Sequence, residues 1–362
     1  MRRRLISVRT LLLAVYLFAF CFTQSANAAE MNTALRRLAA AADKEGNLNL
    51  SWSQSTFSGS QGAALFQAAM NKKYGTKIRI NFVPGADQPR IGTQLATEFS
   101  AGQKAHTDIY LGAALSITPL IDLDIFQQVN VKEFMPERSG VAVSELDNRF
   151  FRIITGMSGV TYNSQLAPIK PTRLDDFLRP EWKGKIASTP YAAGFDVLLA
   201  NDVWGKDKTI EFVKKLSTQI SGVMRCGESE RIATGEFMAL VMDCTGQDAI
   251  TWQEKGAPLE QMIARDAAQK RYFYMSVPKH AQNPNTAKLF VTFMLSDEGQ
   301  ELSYKTWKAD LHLLPKSKMG QSITALEKQG VKFAEVTLSW WRQHPEIDAN
   351  RRELVKILTT KN

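Results

Sequence analysis

The sequence predicts an α/β protein of two lobes, on three observations. Helical stretches alternate with short apolar strands through the first two thirds of the chain, the pattern of mainly parallel sheets flanked by helices. At 362 residues the chain is long enough for two packed units. No tandem repeat, low-complexity tract or Pro/Gly linker divides it, so the lobes are expected to be joined by crossing strands.

The N-terminus opens with MRRRLISVR, continues with the apolar run TLLLAVYLFAFCF and ends in Ala26-Asn27-Ala28. A basic head, an apolar segment well short of a membrane span and a small-residue cleavage site make residues 1–28 an expected secretory signal, with the mature chain starting near Ala29. Losing Arg2, Arg3, Arg4 and Arg9 takes 45 basic side chains to 41 against 36 acidic ones, so net charge falls from +9 to +5. Such a surface suits anionic small ligands, and no Lys/Arg block is dense enough to argue for nucleic acid.

The elements follow in order. NTALRRLAAAADKEG has helical spacing and stops at Gly46; NLNLSW reads as a strand; residues 60–74 form a helix with Ala63, Phe66, Ala69 and Met70 on one face; KIRINFVPG alternates as a strand does. A helix over IGTQLATEFSAG, a strand at TDIYLG, a helix from about Ile117 and a paired extended stretch at RFFRIITGMSGVTYN come next. Beyond them lie a helix at LDDFL, a strand at KIAST, helices over DVLLANDVWG and KTIEFVKKLS, a helix containing residues 231–236 and a strand at FMALVM. The last third carries the strand YFYMSVP, one long helix over NTAKLFVTFMLSDEGQELSYKTW, the segment ALEKQGVKFAEVTLSWWRQH and a basic C-terminal helix.

Two cysteines remain after the signal, Cys226 and Cys244, in a chain addressed to an oxidising compartment. A disulfide between them is the expected state, stabilising by ~3 kcal/mol for a loop of this length. The alternative makes Cys244 a nucleophile, which needs a basic partner; His106, His280, His312 and His344 are all distant in sequence. No G-x-S-x-G, H-E-x-x-H, P-loop, C-x-x-C or EF-hand pattern is present, so the chain reads as a non-enzyme without a cofactor.

The ordered set KEGNLNLSWS, KYGTKIRINFVPG, TDIYLG, GVTYNSQL, PTRLDDFLRPEWKGKIASTP (171–190), IATGEFMALV, NPNTAKLFVTFMLSDEGQ and the late LLP (313–315) resembles the type II periplasmic solute-binding proteins of ABC importers, in the branch with ferric-ion, thiamine, polyamine and phosphonate binders. The resemblance implies two α/β lobes, residues 29–155 with 272–318 and residues 156–271 with 319–362, closing like a clamp on a small solute in the periplasm. It also implies a monomer that hands the solute to a membrane permease.

Within that frame the stretch SWSQSTFSGSQGAALF offers Ser53, Gln54, Ser55 and Ser58 as donors at a turn into a helix, where free backbone N–H groups favour an anion. A serine there also serves as an ordinary helix cap. The same chemistry recurs at other strand ends: Gly112 and Ala113 in GAALS, Ser158 and Tyr162 in GMSGVTYN, and Thr189, Ala193 and Gly194 in STPYAAGFD. Arg90 is the candidate cation, and Tyr162, Trp52, Tyr191 and Trp252 are candidate stacking aromatics. Iron-binding relatives use adjacent tyrosines in a segment corresponding to MDCTGQD here, which has none, so no metal site is expected. Asp243 and Asp248 would be the oxygens for an iron-chelate alternative.

Overall fold

The computed structural model describes residues 31–85 and 87–360; the expected signal over 1–28 lies outside them. Helix α1 (Thr33–Glu45) starts where Asn32 Oδ1 accepts from Leu35 N at 2.8 Å and stops at left-handed Gly46, whose N–H closes on Ala42 O. Strand β1 (Asn47–Trp52), α2 (Gly59–Tyr74), β2 (Arg79–Pro84), α3 (Gln88–Ser100), β3 (Tyr110–Ala113) and the single turn α4 (Ala114–Ile117) complete the first run. Short β4 (Ser144–Glu145) precedes β5 (Phe150–Ser158), whose nine residues are all buried.

The chain then changes sheets. After β6 (Val160–Asn163) come β7 (Ile186–Ser188), α5 (Phe195–Leu198), α6 (Lys206–Ser217), β8 (Ile220–Val223), the turn Glu230–Ala233, β9 (Ala239–Val241), α7 (Gln247–Glu254) and β10 (Leu259–Met262). These strands form one five-stranded sheet in the order β10-β6-β9-β7-β8. Strand β11 (Gln269–Ser276) returns to the first sheet, followed by α8 (Pro284–Met294), α9 (Asp297–Trp307), α10 (Lys318–Lys328), β12 (Ala334–Val336), α11 (Leu338–Arg342) and α12 (Pro345–Thr359).

The first sheet runs β12-β11-β5-β4, with β3 also on β11, and β1-β2 joins it through the parallel bridge Leu50–Ile109. Both sheets are mixed, where the alternation of elements had pointed to mainly parallel ones. The returning strand β11 arrives from the other lobe and is antiparallel to both β3 and β5; β6 is antiparallel to β9 and β10, while β7 is parallel to β8 and β9. The stretch expected as a paired extended segment is a single crossing: β5 and β6 pair in different sheets and are separated only by Gly159. A side chain at Gly159 would place its Cβ 2.4 Å from Met262 O, so the crossing requires glycine.

The long helix expected after residue 284 is two. Ser296 caps α9 by accepting from Gly299 N at 3.2 Å, and Gly299 packs so closely on the end of α8 that a Cβ would sit 2.1 Å from Phe293 O. The helix expected over 196–205 shrinks to α5 because Gly194 (φ 76) and Gly205 (φ 78) turn the chain on either side. The C-terminal segment works in both lobes: β12 pairs with β11 and α11 packs on α4, while α12 lies against α6 and α5. One continuous apolar core runs from Leu35 through Phe150 and Val160 to Leu358.

Candidate functional site

The wall from the first lobe begins where β1 ends. Ser53 Oγ lies 2.8 Å from Thr56 Oγ1 and 3.2 Å from Ser55 Oγ, while Gln54 and Ser55 are exposed. Phe57, Ser58 and Gly59 all have left-handed backbones (φ 49, 59 and 54), which turn the chain sharply into α2. Ser58 is not a capping serine: its hydroxyl donates to Thr306 O at 2.8 Å, near the end of α9, and the Phe57 ring rests on Trp307 at 4.8 Å. Gly112 and Ala113 end β3; Ala113 N donates to Gln88 Oε1 at 2.9 Å, and Ser116 Oγ lies 3.3 Å from the same oxygen. Arg90 is exposed in the first turn of α3 and makes no ion pair among the described residues.

The second wall gathers around Asp243, just past β9. Its carboxylate accepts from Gly159 N at 3.0 Å and from Thr161 Oγ1 at 2.6 Å, and its own N–H donates to Gly159 O at 2.7 Å. Burial pushes this carboxyl up to about 6, helped by the nearby Asp248 charge and opposed by the bonds from Thr161 and Gly159. Ser158 Oγ donates to Cys244 O at 2.7 Å, and Thr189 Oγ1 accepts from Ala193 N at 2.9 Å. Gly194 (φ 76) faces the Met242 and Ser158 side chains, and its carbonyl accepts from Gln269 Nε2 at 3.0 Å. Thr189, Ala193, Gly194, Ser158 and Asp243 therefore form one connected patch at the crossing between lobes.

Tyr162 lies one residue beyond Thr161 on β6 and so points to the opposite face of the sheet. Its hydroxyl donates to Glu260 Oε2 at 2.6 Å, and burial together with that carboxylate raises the phenol's pKa. Trp52 is buried against Phe57 and Phe82.

The disulfide Cys226–Cys244 is formed, with Cα atoms 6.0 Å apart, so Cys244 has no thiol for nucleophilic chemistry. Tyr191 Oη accepts from Cys226 N at 2.8 Å, and Asp248 Oδ2 accepts from Gly227 N at 2.8 Å, which fixes the bridged loop from both sides. With both oxygens of Asp243 engaged and Asp248 committed to this loop, the two acids do not converge as metal ligands. Among the described residues no group of three or more His, Cys, Asp or Glu side chains comes together to hold a metal. A groove of about 510 Å³ lined by Lys214, Glu353 and Lys356 lies between α6 and α12 and shares no residue with either wall.

Two charge pairs that no sequence pattern announced join the lobes. Arg271 on β11 makes a two-pronged contact with Asp196 on α5, both bonds at 3.2 Å and both side chains buried. Lys308 Nζ, just past α9, meets Glu254 Oε2 at the end of α7 at 2.6 Å. Where the lobes meet, Met157 N donates to Thr245 O at 3.3 Å.

Two lobes of mixed sheet linked by crossing strands, with hydroxyls and glycines at the strand ends, are the architecture of periplasmic binding proteins. Residues 64–318 match the family of bacterial extracellular solute-binding proteins, and the chain belongs to that family. It is a family of transport-associated binding proteins, not of enzymes. The fold is shared with the substrate-binding protein of an ABC transporter from Agrobacterium tumefaciens (TM-score 0.70, 17% identity, covering 88% of this chain and 97% of that one). It is shared too with the periplasmic binding protein AfuA of Actinobacillus pleuropneumoniae, solved with exogenous fructose-6-phosphate (TM-score 0.59, 22% identity, 74% and 85% covered). An uncharacterized protein of Haemophilus influenzae is 32% identical over 164 residues, which are 44% of this chain and 46% of the relative; the match thus spans less than half the length of that relative. No helix among the described residues is long and apolar enough to cross a membrane.

Proposed function

We propose that this chain is the periplasmic solute-binding component of an ABC importer, exported by a cleaved signal over residues 1–28. It captures a small polar or anionic solute by closing its lobes and delivers it to a membrane permease. The lobes are residues 29–155 with 272–318 and residues 156–271 with 319–362, except that residues 156–158, 269–271 and β12 belong to the first sheet, and the protein works as a monomer. The observation that carries this reading is the cluster of hydroxyls and glycines from the second-sheet strand ends around the crossing at Gly159, in a chain of the solute-binding family.

Ser53, Gln54, Ser55, Ser58, Gly112 and Ala113 line the first wall. Ser158, Thr189, Ala193, Gly194 and Asp243 line the second, with Arg90 at the margin of the first; Tyr162, on the other face of β6 and bonded to Glu260, stands behind the second wall. A solute that touches both walls binds the closed form better than the open one, and that difference in affinity is what drives closure. The sugar phosphate held by the distant structural neighbour AfuA supports an anionic ligand for this architecture.

Native mass spectrometry of protein purified from the periplasm without refolding, before and after denaturation, tests the reading. A small organic adduct is expected, lost on denaturation and abolished by Ser55→Ala or Thr189→Ala. An iron-containing adduct would overturn the metal-free site, and an adduct indifferent to both substitutions would move the site elsewhere.

A further inference from the structure

The ion pair Glu254–Lys308 joins the two lobes, and its partners differ in what they need from each other. The Glu254 side chain keeps 55% of its exposure and the Lys308 side chain 16%. Releasing Glu254 returns a solvated carboxylate to water at little cost. Leaving Lys308 alone strands a largely covered cation. The lysine therefore demands an anion, whereas the glutamate does not demand the lysine.

The backbone at Lys308 adds a second observation. Lys308 follows α9 with φ 51, its N–H closing on Tyr304 O at 2.9 Å. Glycine is the usual occupant of such a left-handed helix end, and non-glycine residues held there are strained. Phe57 and Ser58, also left-handed, are tied to the residues just before it by the Ser58–Thr306 hydrogen bond and the Phe57–Trp307 contact. The hydroxyl-rich turn and the lysine thus belong to one wall, tied together through Thr306 and Trp307.

The geometry points to Lys308 as the residue that receives the anionic group of the solute, with Glu254 as the internal anion that holds its place until the solute arrives. This inference rests on the solute-binding reading and narrows it: the solute carries an oxyanion, a carboxylate or a phosphate. The ammonium is a compact point charge suited to either group, and the hydroxyls of Ser53 and Ser55 stand on the same wall as additional donors. An incoming oxyanion competes with Glu254, so the carboxylate sets a threshold of affinity that neutral solutes have no means to overcome. Arg90, exposed and without an ion-pair partner among the described residues, has no such internal competitor.

Calorimetric titration with inorganic phosphate as the probe, on the whole protein and on Glu254→Gln and Lys308→Gln, tests this. Removing the competitor is expected to tighten phosphate binding about threefold. Removing the cation is expected to weaken it by about tenfold or more. If Lys308→Gln fails to give a normal thermal melt, the exposed Glu254→Gln decides alone, since a tightening supports the exchange and a weakening or no change overturns it. Equal titrations for all three proteins, or no binding in any, also overturn it. Native mass spectrometry of the same variants separates the two readings. A periplasmic adduct retained in Lys308→Gln alongside flat phosphate titrations sinks this inference and keeps the solute-binding reading; no adduct in any variant sinks both.

Discussion

Asp243 and His312 titrate in opposite directions near the crossing between the lobes. Burial raises the Asp243 carboxyl from 3.8 to about 6. The folded protein thus holds that proton more tightly than the unfolded chain, so the associated stability is fully present below pH 3.8 and lost as pH rises through 6. His312, which shares a 2.9 Å hydrogen bond with Thr155 Oγ1, is pushed from 6.5 down to about 4 by burial and by Lys270 and Arg152. Its contribution is fully present above pH 6.5 and lost as pH falls through 4. The two slopes oppose each other across the window between. Relative to wild type, Asp243→Asn should therefore make the melting temperature rise more steeply with pH there, and His312→Gln should flatten or reverse the rise. Thermal melts at half-unit pH steps check this, and unchanged slopes in both variants would sink the assignment. That hydroxyls and glycines stand at the strand ends was legible in the sequence, because they interrupt the apolar runs of the strands. The pairs Glu254–Lys308 and Arg271–Asp196 were not, because each joins segments far apart in the chain and neither residue has a local pattern. The partner of Tyr162 was hidden for the same reason: Glu260 comes beside it only through the pairing of β6 with β10.

At the scale of elements, the loop closed by Cys226–Cys244 runs between the end of β8 and the start of α7, and Tyr191 and Asp248 brace it. Breaking the bridge should cost ~3 kcal/mol. For a chain of this size that lowers the melting temperature by about 4–5 °C. Melts with and without a thiol reductant, and of the double Cys226→Ser/Cys244→Ser variant, measure it; an unchanged midpoint would mean that the bracing bonds hold the loop unaided. Periodicity located the regular helices α1, α2, α3 and α6 because their buried residues recur on one face. It missed the break at Ser296, where the apolar pattern of α8 runs on into α9 and only the cap chemistry of Ser-Asp-Glu marks the corner. It also missed the short strands β4, β8 and β10, whose two to four residues are too few to show an alternation.

For the whole molecule, the crossing at Gly159 and the segment between β10 and β11 lead directly from one sheet to the other, and under the proposed function they are the axis about which the lobes close. Small-angle scattering should show the radius of gyration, about 20 Å for a compact chain of this length, falling when the native solute is added. The Gly159→Ala variant, forced against Met262 O, should lose that fall along with stability. A constant radius in the wild type with solute bound would argue against closure. The two-lobed plan was legible from chain length and the absence of a linker. Strand direction was not, because the order of elements along a chain does not reveal which strand returns from the other lobe.

The C-terminal segment that serves both lobes has a further consequence, for the order of folding. Strand β12 completes the edge of the first sheet on β11, and α12 covers α6 and α5 of the second lobe. Both are synthesised after everything they cover. Neither half can therefore bury its full apolar surface while the chain is still emerging, and assembly must wait for contacts between residues about 65 to 160 positions apart, which slows it. A polypeptide that stays open until its last turns are made is one that can still be threaded through a narrow pore.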